Sequence, residues 1–366
     1  MNILYIGPYR QNDSWGQDSR KFIRSIKTTE SKLSLIPVYY TDNILQTIDS
    51  FVPEAELSRY KSYDKIIQHG LPNSIAILKN KQIKNTAILK VETGGWNKSR
   101  NLLTLNKLDH IYVITETEKS WLEKSGVTTP ITSISYPIDI SDINNQQSKV
   151  NFAGALKKVF KFYAFCDMSE RSNLELIIKA FHIAFNENDK VNLVLKIDNH
   201  DNNTKRIVEQ LSEKIKRSLR INKVYRHDTV LVSNGSDENT NNAFHNSCDC
   251  FIDISLGNNF SVETVKAAIL GKTPIIMDNT GLSSLLDSEI SYHIRSHKTP
   301  VFLENSPLPQ EYDLFTSDEY WYAPNLDSLI STMREAYKAK LNIKSEITKK
   351  YMDKFLYSHV GELLCN

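Results

Sequence analysis

Residues 250–277, CFIDISLGNNFSVETVKAAILGKTPIIM, decide how this chain folds. Cys250–Ile254 is apolar but for Asp253, short enough for a strand and bounded by the polar loop Ser255–Ser261. Val262–Leu270 reads as a helix, closed by Gly271 at the position where a helix ends in a left-handed residue. Pro274–Met277 is a second apolar run. The whole is a β-loop-α-β unit. Strands of this kind belong to a parallel sheet covered on both faces.

Working outward, the same alternation fills the chain. Ile3–Ile6 reads as a buried strand, followed by Gly7-Pro8, a polar loop to Gly16 and a helix carrying Phe22, Ile23 and Ile26 on one side. Further strands are expected at Leu35–Tyr40, Lys65–Gln68, Ala87–Val91, His110–Thr115 and Thr132–Ser135, with a helix at Thr117–Ser125. Ser141–Lys149 is polar and without apolar periodicity, as a linker would be. The pattern then restarts. Strands are expected at Phe162–Cys166, Asn192–Ile197, Val230–Ser233 and Tyr292–Ile294, besides the two quoted above. Helices are expected at Asn173–Phe185, Lys205–Leu219, Asn239–Ser247, Leu326–Ala339 and Ser345–Leu364. The reading is α/β, with two Rossmann-like domains facing an interdomain cleft: residues 1–140, a linker at 141–155, then 156–342, with a terminal helix at 343–366. A length of 366 residues agrees with more than one core.

Composition excludes several classes. Lys+Arg 45 against Asp+Glu 43 leaves a net charge of +2, so no global basic field draws in nucleic acid. Local clusters exist at Lys79, Lys81 and Lys84 and from Lys205 to Arg226, and read as solvated helix faces; phosphate contacts to a DNA acceptor are the alternative. Four cysteines, Cys166, Cys248, Cys250 and Cys365, form no disulfide framework or zinc-ligand spacing. No apolar run approaches the length of a membrane span, and Asn2–Ile6 reads as a strand rather than a leader. The expectation is a cytoplasmic protein.

Open parallel sheets bind ligands beyond the carboxyl ends of their strands. At the loop Ser255–Ser261 the backbone N–H groups of Ser261–Glu263 open a helix, whose dipole favours an anion such as a diphosphate. Around it, residues 243–285 match in type and spacing at Asp249, Ser255, Phe260, Ala267, Gly271, Pro274 and Gly281 the donor-binding signature of the group-1 GT-B glycosyltransferases. Residues 162–181, FYAFCDMSERSNLELIIKAF, resemble that family's upstream motif, as do the N-terminal strand, Asp109–Thr115 before Ser120-Trp121-Leu122, and Tyr136-Pro137-Ile138-Asp139. The family's two glutamates fall at Asn258 and Lys266, and its phosphate-binding lysine at Ser172. Two of those changes remove a charge and one reverses it. Arg171 could neutralise a diphosphate, Glu263 could accept from ribose hydroxyls and Asn258 from a sugar hydroxyl.

The resemblance implies transfer of a sugar from a nucleoside-diphosphate donor to an acceptor hydroxyl, with retention and with no metal or other cofactor. Donor contacts would be Arg171, Asn258, Asn259, Phe260, Ser261 and Glu263. Acceptor contacts would come from Gly16, which permits close backbone approach, His69, which follows a strand, and Trp96, which could stack on a sugar or base. Glu92, at a strand end, could orient or deprotonate the acceptor and is with Arg171 the expected catalytic pair. The last helix would cross back to the first domain. Two alternatives stand beside this reading: an enzyme acting on modified phage-type DNA bases, and a catalytically degenerate GT-B protein that binds nucleotide or glycan.

Overall fold

The alternation resolves into two parallel sheets of six strands. A computed structural model describes residues 1–45, 47–77, 82–95, 101–139, 148–152, 157–198, 201, 203–221, 223–225, 228–233, 238–301, 318–339 and 352–366. The chain divides into unit 1, Met1–Ile140 with Asp313–Glu319 and Tyr351–Asn366, and unit 2, Ser141–Tyr312 with Tyr320–Lys350. Most of the polar linker stretch lies outside the described residues.

In unit 1 the strands are β1 (Asn2–Gly7), β2 (Lys32–Pro37), β3 (Lys65–Gly70), β4 (Lys84–Leu89), β5 (His110–Val113) and β6 (Ile131–Ser133). Their order is β2-β1-β3-β4-β5-β6, every pairing parallel. Two strands begin earlier than their apolar runs. Lys84 pairs with Lys65 in register, and the buried Thr86 donates its hydroxyl to the Ile66 carbonyl at 2.8 Å, so polar residues enter the ladder where a neighbour satisfies them. β2 likewise starts at Lys32 and ends at Pro37, not Tyr40.

The helix Ser14–Lys27 opens on Asp13, whose carboxylate accepts from the Gly16 N–H at 2.9 Å, and lays Phe22, Ile23 and Ile26 into the core. The last helix differs from the expected Ser345–Leu364. Its described part is a 3-10 turn, Asp353–Phe355, an extended Leu356 and then a helix over Tyr357–Cys365. Phe355 turns into the core, 1% exposed, and its carbonyl accepts from the Ile138 N–H at 2.8 Å, which interrupts the helix. Tyr357–Cys365 packs on Ser14–Lys27 at Gly361, where an added Cβ would lie 2.1 Å from the Ser25 carbonyl oxygen. The buried Lys65 donates to the Leu364 carbonyl at 2.7 Å and to the Tyr112 hydroxyl at 2.9 Å, satisfying an otherwise unpaired helix end. Burial brings the Lys65 pKa down to about 8.

In unit 2 the strands are β7 (Phe160–Cys166), β8 (Val191–Asp198), β9 (Thr229–Ser233), β10 (Cys250–Asp253), β11 (Ile275–Met277) and β12 (Tyr292–Ile294), in the order β12-β11-β10-β7-β8-β9. Helices Leu174–Ala184, Thr204–Leu219, Glu238–Ser247, Val262–Ile269 and Leu326–Ala339 cover it. One core joins Phe162, Ile177, Leu193, Ile252 and Met333; the other face carries Tyr163, Phe244, Phe251 and Ala267. An antiparallel pair, β13 (Ser296–Pro300) with β14 (Tyr320–Pro324), is added beyond β12 and was not expected from the sequence. Ser296–Pro300 is too polar to stand out as a strand.

Each sheet reverses its strand order once, between β1 and β3 in unit 1 and between β7 and β10 in unit 2. In sheets of this kind, loops leaving the carboxyl ends at the reversal splay to opposite faces, which is the usual ligand position.

Candidate functional site

The loops after β7 and β10 meet at the switch point of unit 2. Arg171, in the turn Glu170–Ser172, accepts at its carbonyl from the Leu256 N–H at 2.8 Å, and its Nε donates back to the Leu256 carbonyl at 3.2 Å. Asn173, in left-handed conformation, donates from its side chain to the Ile254 carbonyl at 2.7 Å. The two loops are therefore one rigid piece. Ser172, at the family's lysine position, donates its hydroxyl to Asp167 at 2.6 Å and accepts from the Asp167 N–H at 3.0 Å. Burial works to raise the Asp167 pKa, but the Ser169 and Ser172 hydrogen bonds and the Arg171 charge hold it below the usual carboxylate range. Arg171 is the one cation of its turn.

Within the β10 loop, Asp253 accepts from the Thr264 hydroxyl at 2.6 Å and from the Asn258 amide at 3.4 Å, and Ser261 caps Val262–Ile269 by accepting from the Thr264 N–H at 3.2 Å. Asn259, only 4% exposed, accepts from the Gly281 N–H at 3.4 Å, so it ties the loop to the short helix Gly281–Leu285. Phe260 is half-buried.

Glu263 is held from both sides. Its Oε2 meets His245 Nε2 at 3.0 Å and its Oε1 meets Lys266 Nζ at 3.3 Å; Lys266 also reaches Glu238 at 2.6 Å, and His245 Nδ1 lies 2.6 Å from the Tyr163 hydroxyl. Burial lowers the His245 pKa despite Glu263. Lys266 is buried too, yet Glu263 and Glu238 hold its pKa above the ordinary value. The charge reversal at 266 thus makes an internal ion pair that orients Glu263.

At the switch point of unit 1 the sequence-based residues fall differently. The close approach at Gly16 is made by the chain itself: an added Cβ would lie 2.0 Å from the Gln11 carbonyl oxygen. The loop's own packing therefore requires a glycine here. His69 is 5% exposed, its Nδ1 is 2.8 Å from the Tyr5 hydroxyl, and Phe22 and Trp15 flank its ring. Burial, with Lys90 nearby, pulls its pKa down to about 3, so the imidazole stays neutral and packs as part of the core. Glu92 follows β4, half-buried, in an ion pair with Lys90 at 3.3 Å. Lys90 lies over the Trp15 ring at 5.3 Å. Trp96 lies outside the described residues, as do Lys79, Lys81 and Arg226 of the basic clusters.

Sequence reasoning missed Asp18 and Trp321. Asp18, half-buried on the first helix, accepts from the Tyr136 hydroxyl at 2.5 Å; burial raises its pKa against the pull of Lys90. Thr93, beside Glu92, donates to the buried Glu319 at 2.6 Å. Trp321, on β14, lies against Arg171 with the guanidinium carbon 5.2 Å from its ring centroid. Among the described residues no three of His, Cys, Asp and Glu come together as a metal site, and no helix is long and apolar enough to cross a membrane.

No protein-family model matches the chain, and no curated protein does. Solved structures match along its entire length. A sucrose-phosphate synthase from Thermosynechococcus elongatus is 11% identical with a TM-score of 0.64, covering 100% of this chain and 97% of that one. A glycosyltransferase from Rickettsia africae ESF-5 is 12% identical, with a TM-score of 0.65 and coverage of 100% and 96%. The E. coli trehalose-6-phosphate protein bound with UDP-2-fluoro glucose is 10% identical, with a TM-score of 0.59 and coverage of 100% and 98%. Two parallel six-stranded α/β units in tandem, shared from end to end with these structures, give this chain the GT-B fold of the glycosyltransferases.

Proposed function

We propose that this chain is a glycosyltransferase that moves a sugar from a nucleoside-diphosphate donor to an acceptor hydroxyl, with retention at the anomeric carbon and without a bound divalent metal. The observation that carries the reading is the reciprocal Arg171–Leu256 pairing, which fixes a cation at the switch point beside the loop that opens Val262–Ile269. Charge builds on the departing diphosphate as the glycosidic bond breaks, and fixed positive groups stabilise that charge without reorganising. Arg171 and the helix N-terminus supply them. Glu263, oriented by His245 and Lys266, takes the ribose hydroxyls; Asn258 and Phe260 border the sugar, while Asn259 and Ser261 hold the loop in shape. A solved structure of the same fold is bound with UDP-2-fluoro glucose, which favours a UDP-sugar as the first donor to try.

On unit 1, Glu92 and Asp18 are the carboxylates able to orient an acceptor hydroxyl; His69, neutral and buried, supports the wall behind them. The acceptor is a saccharide or another hydroxyl compound. Four free thiols suit a reducing cytoplasm.

A donor panel of UDP-, GDP- and ADP-sugars, followed by release of nucleoside diphosphate, tests the proposal. Arg171→Ala should weaken donor binding at least about tenfold, or about 1.4 kcal/mol. A binder without turnover is the second reading, favoured by Ser172 standing bonded to Asp167 where the family has a lysine. That protein would bind a nucleotide sugar and release nothing. No binding to any donor would end both readings.

A further inference from the structure

We propose that Trp321 is the positioning residue that gives the Arg171 guanidinium one orientation before a ligand arrives; this rests on the donor reading above. The guanidinium is enclosed on three sides. Its carbon lies 5.2 Å from the Trp321 ring centroid, on one face. Its Nε edge is bonded to the Leu256 carbonyl at 3.2 Å. The third side is the backbone of Gly257, at φ +67, where an added Cβ would come 2.9 Å from Arg171 Nη2 and 2.7 Å from Trp321 Nε1. Only a residue without a side chain leaves room for arginine and indole together.

The indole is itself fixed. Trp321 is 2% exposed and stands on β14, in register with Thr299 of β13, so a strand pair rather than a loop carries it. A planar guanidinium stacks well on an aromatic face, and the contact holds its long side chain in place. An arginine searching through its rotamers loses that freedom on binding. One already held loses little, and affinity rises by the difference. Arg171 is the one cation of the Glu170–Ser172 turn, so none there can stand in if it swings away.

Trp321 is buried and lies against the arginine, so its effect should be confined to the diphosphate. The test compares wild type, Trp321→Leu and Trp321→Phe, with UDP and uridine as probes. In the ligand-free protein, hydrogen exchange at Arg171 Nε is followed by NMR. Trp321→Leu should weaken UDP binding about tenfold, leave uridine binding unchanged and speed Nε exchange. Trp321→Phe, which keeps a ring face, should restore UDP binding to within about threefold of wild type. Equal losses for UDP and uridine would mean a general collapse of the site and would overturn the proposal. So would a leucine variant that binds UDP as wild type does. If wild type binds none of UDP, GDP and ADP, the donor reading fails by itself, and Nε exchange decides the clamp: a rate unchanged in Trp321→Leu refutes it.

Discussion

Two glycines, one at each switch point, show what separates the halves of this molecule. At Gly16 an added Cβ would run into main chain, the Gln11 carbonyl oxygen at 2.0 Å and its carbon at 2.8 Å. At Gly257 it would meet the tips of two side chains, Trp321 Nε1 at 2.7 Å and Arg171 Nη2 at 2.9 Å. The Gln11 backbone, bridged to Ile44 and bonded at its carbonyl by Arg20, cannot readily move aside; side-chain ends can. In unit 1 the switch point is closed by the chain's own packing, with His69, Tyr5, Phe22 and Trp15 in contact. In unit 2 it is held by polar bonds between loops, with a cation set among them. One switch point is built for rigidity and the other for charge.

The sharpest way to break that contrast is to add one methyl group to each. Gly16→Ala should destabilise unit 1 by about 3 kcal/mol, since overpacking against fixed backbone has nowhere to relax. Gly257→Ala adds about 1–2 kcal/mol of left-handed strain, but its main effect should be on UDP affinity, down about tenfold as Arg171 is displaced. Urea unfolding and UDP titration of both variants give the comparison. If Gly257→Ala proves the more destabilising of the two, or binds UDP normally, the two switch points do not differ in the way described.

Sequence alone revealed one half of this contrast better than the other. The β-α alternation was legible because strands buried on both faces read as apolar runs, and the quoted β10 unit appears as Cys250–Asp253, Val262–Ile269 and Ile275–Met277. Strand limits failed at β2 and β4, where a neighbouring strand, not local hydrophobicity, recruits Lys32 and Lys84. The loops holding Arg171 and Asn258–Glu263 could be located because they follow strands. Trp321 could not: 150 residues separate it from Arg171, and β13 is too polar to announce a strand pair. Lys266 three residues after Glu263 was a visible helical pair, whereas His245 closing it from another helix was not. Asp18 sits mid-helix with no local signal. Glu118 had one, since Thr115 stands three residues before it at capping-box spacing, and the structure forms that box.

Glu118 and His69 make the rigidity of unit 1 measurable through pH. His69 is held neutral, its pKa pulled from 6.5 to about 3 by burial and by Lys90. The folded state therefore binds fewer protons than the unfolded one between those values. Its stability is full above pH 6.5 and falls as pH drops below it, by about 1.4 kcal/mol per unit. Glu118 runs the other way. Burial raises its pKa from 4.5 to about 7 against the N–H bonds of Val91, Ile114 and Thr115. Here the folded state binds more protons, so the contribution is greatest below pH 4.5 and declines as pH rises to 7. Between pH 4.5 and 6.5 the two slopes oppose each other. In urea melts across that interval, Glu118→Gln should expose a loss of stability toward acid, and His69→Gln a loss toward neutral pH. Parallel slopes in the two variants would mean that neither group is buried as described.

The smallest effect should come from Glu263, and it asks whether unit 2 is as adjustable as the contrast holds. Its carboxylate has Oε2 on His245 and Oε1 on Lys266, while the side chain keeps 19% of its surface exposed. A carboxylate offers about four acceptor positions, so a part-exposed one can take a ribose hydroxyl beside its protein partners. Glu263→Gln removes the charge and turns one acceptor into a donor, facing either Lys266 or His245, which weakens the hold on the side chain without opening a cavity. Lys266 keeps Glu238 at 2.6 Å, so the buried cation is not stranded. Unfolding of unit 2 should shift by less than about 1 kcal/mol. Discrimination between UDP and its 2′,3′-dideoxy analogue should fall about threefold, because the dideoxy compound never used the lost charge. If Glu263→Gln instead unfolds unit 2 as readily as Gly16→Ala unfolds unit 1, the buried pair is a structural member, and ribose recognition must be sought elsewhere on the β10 loop.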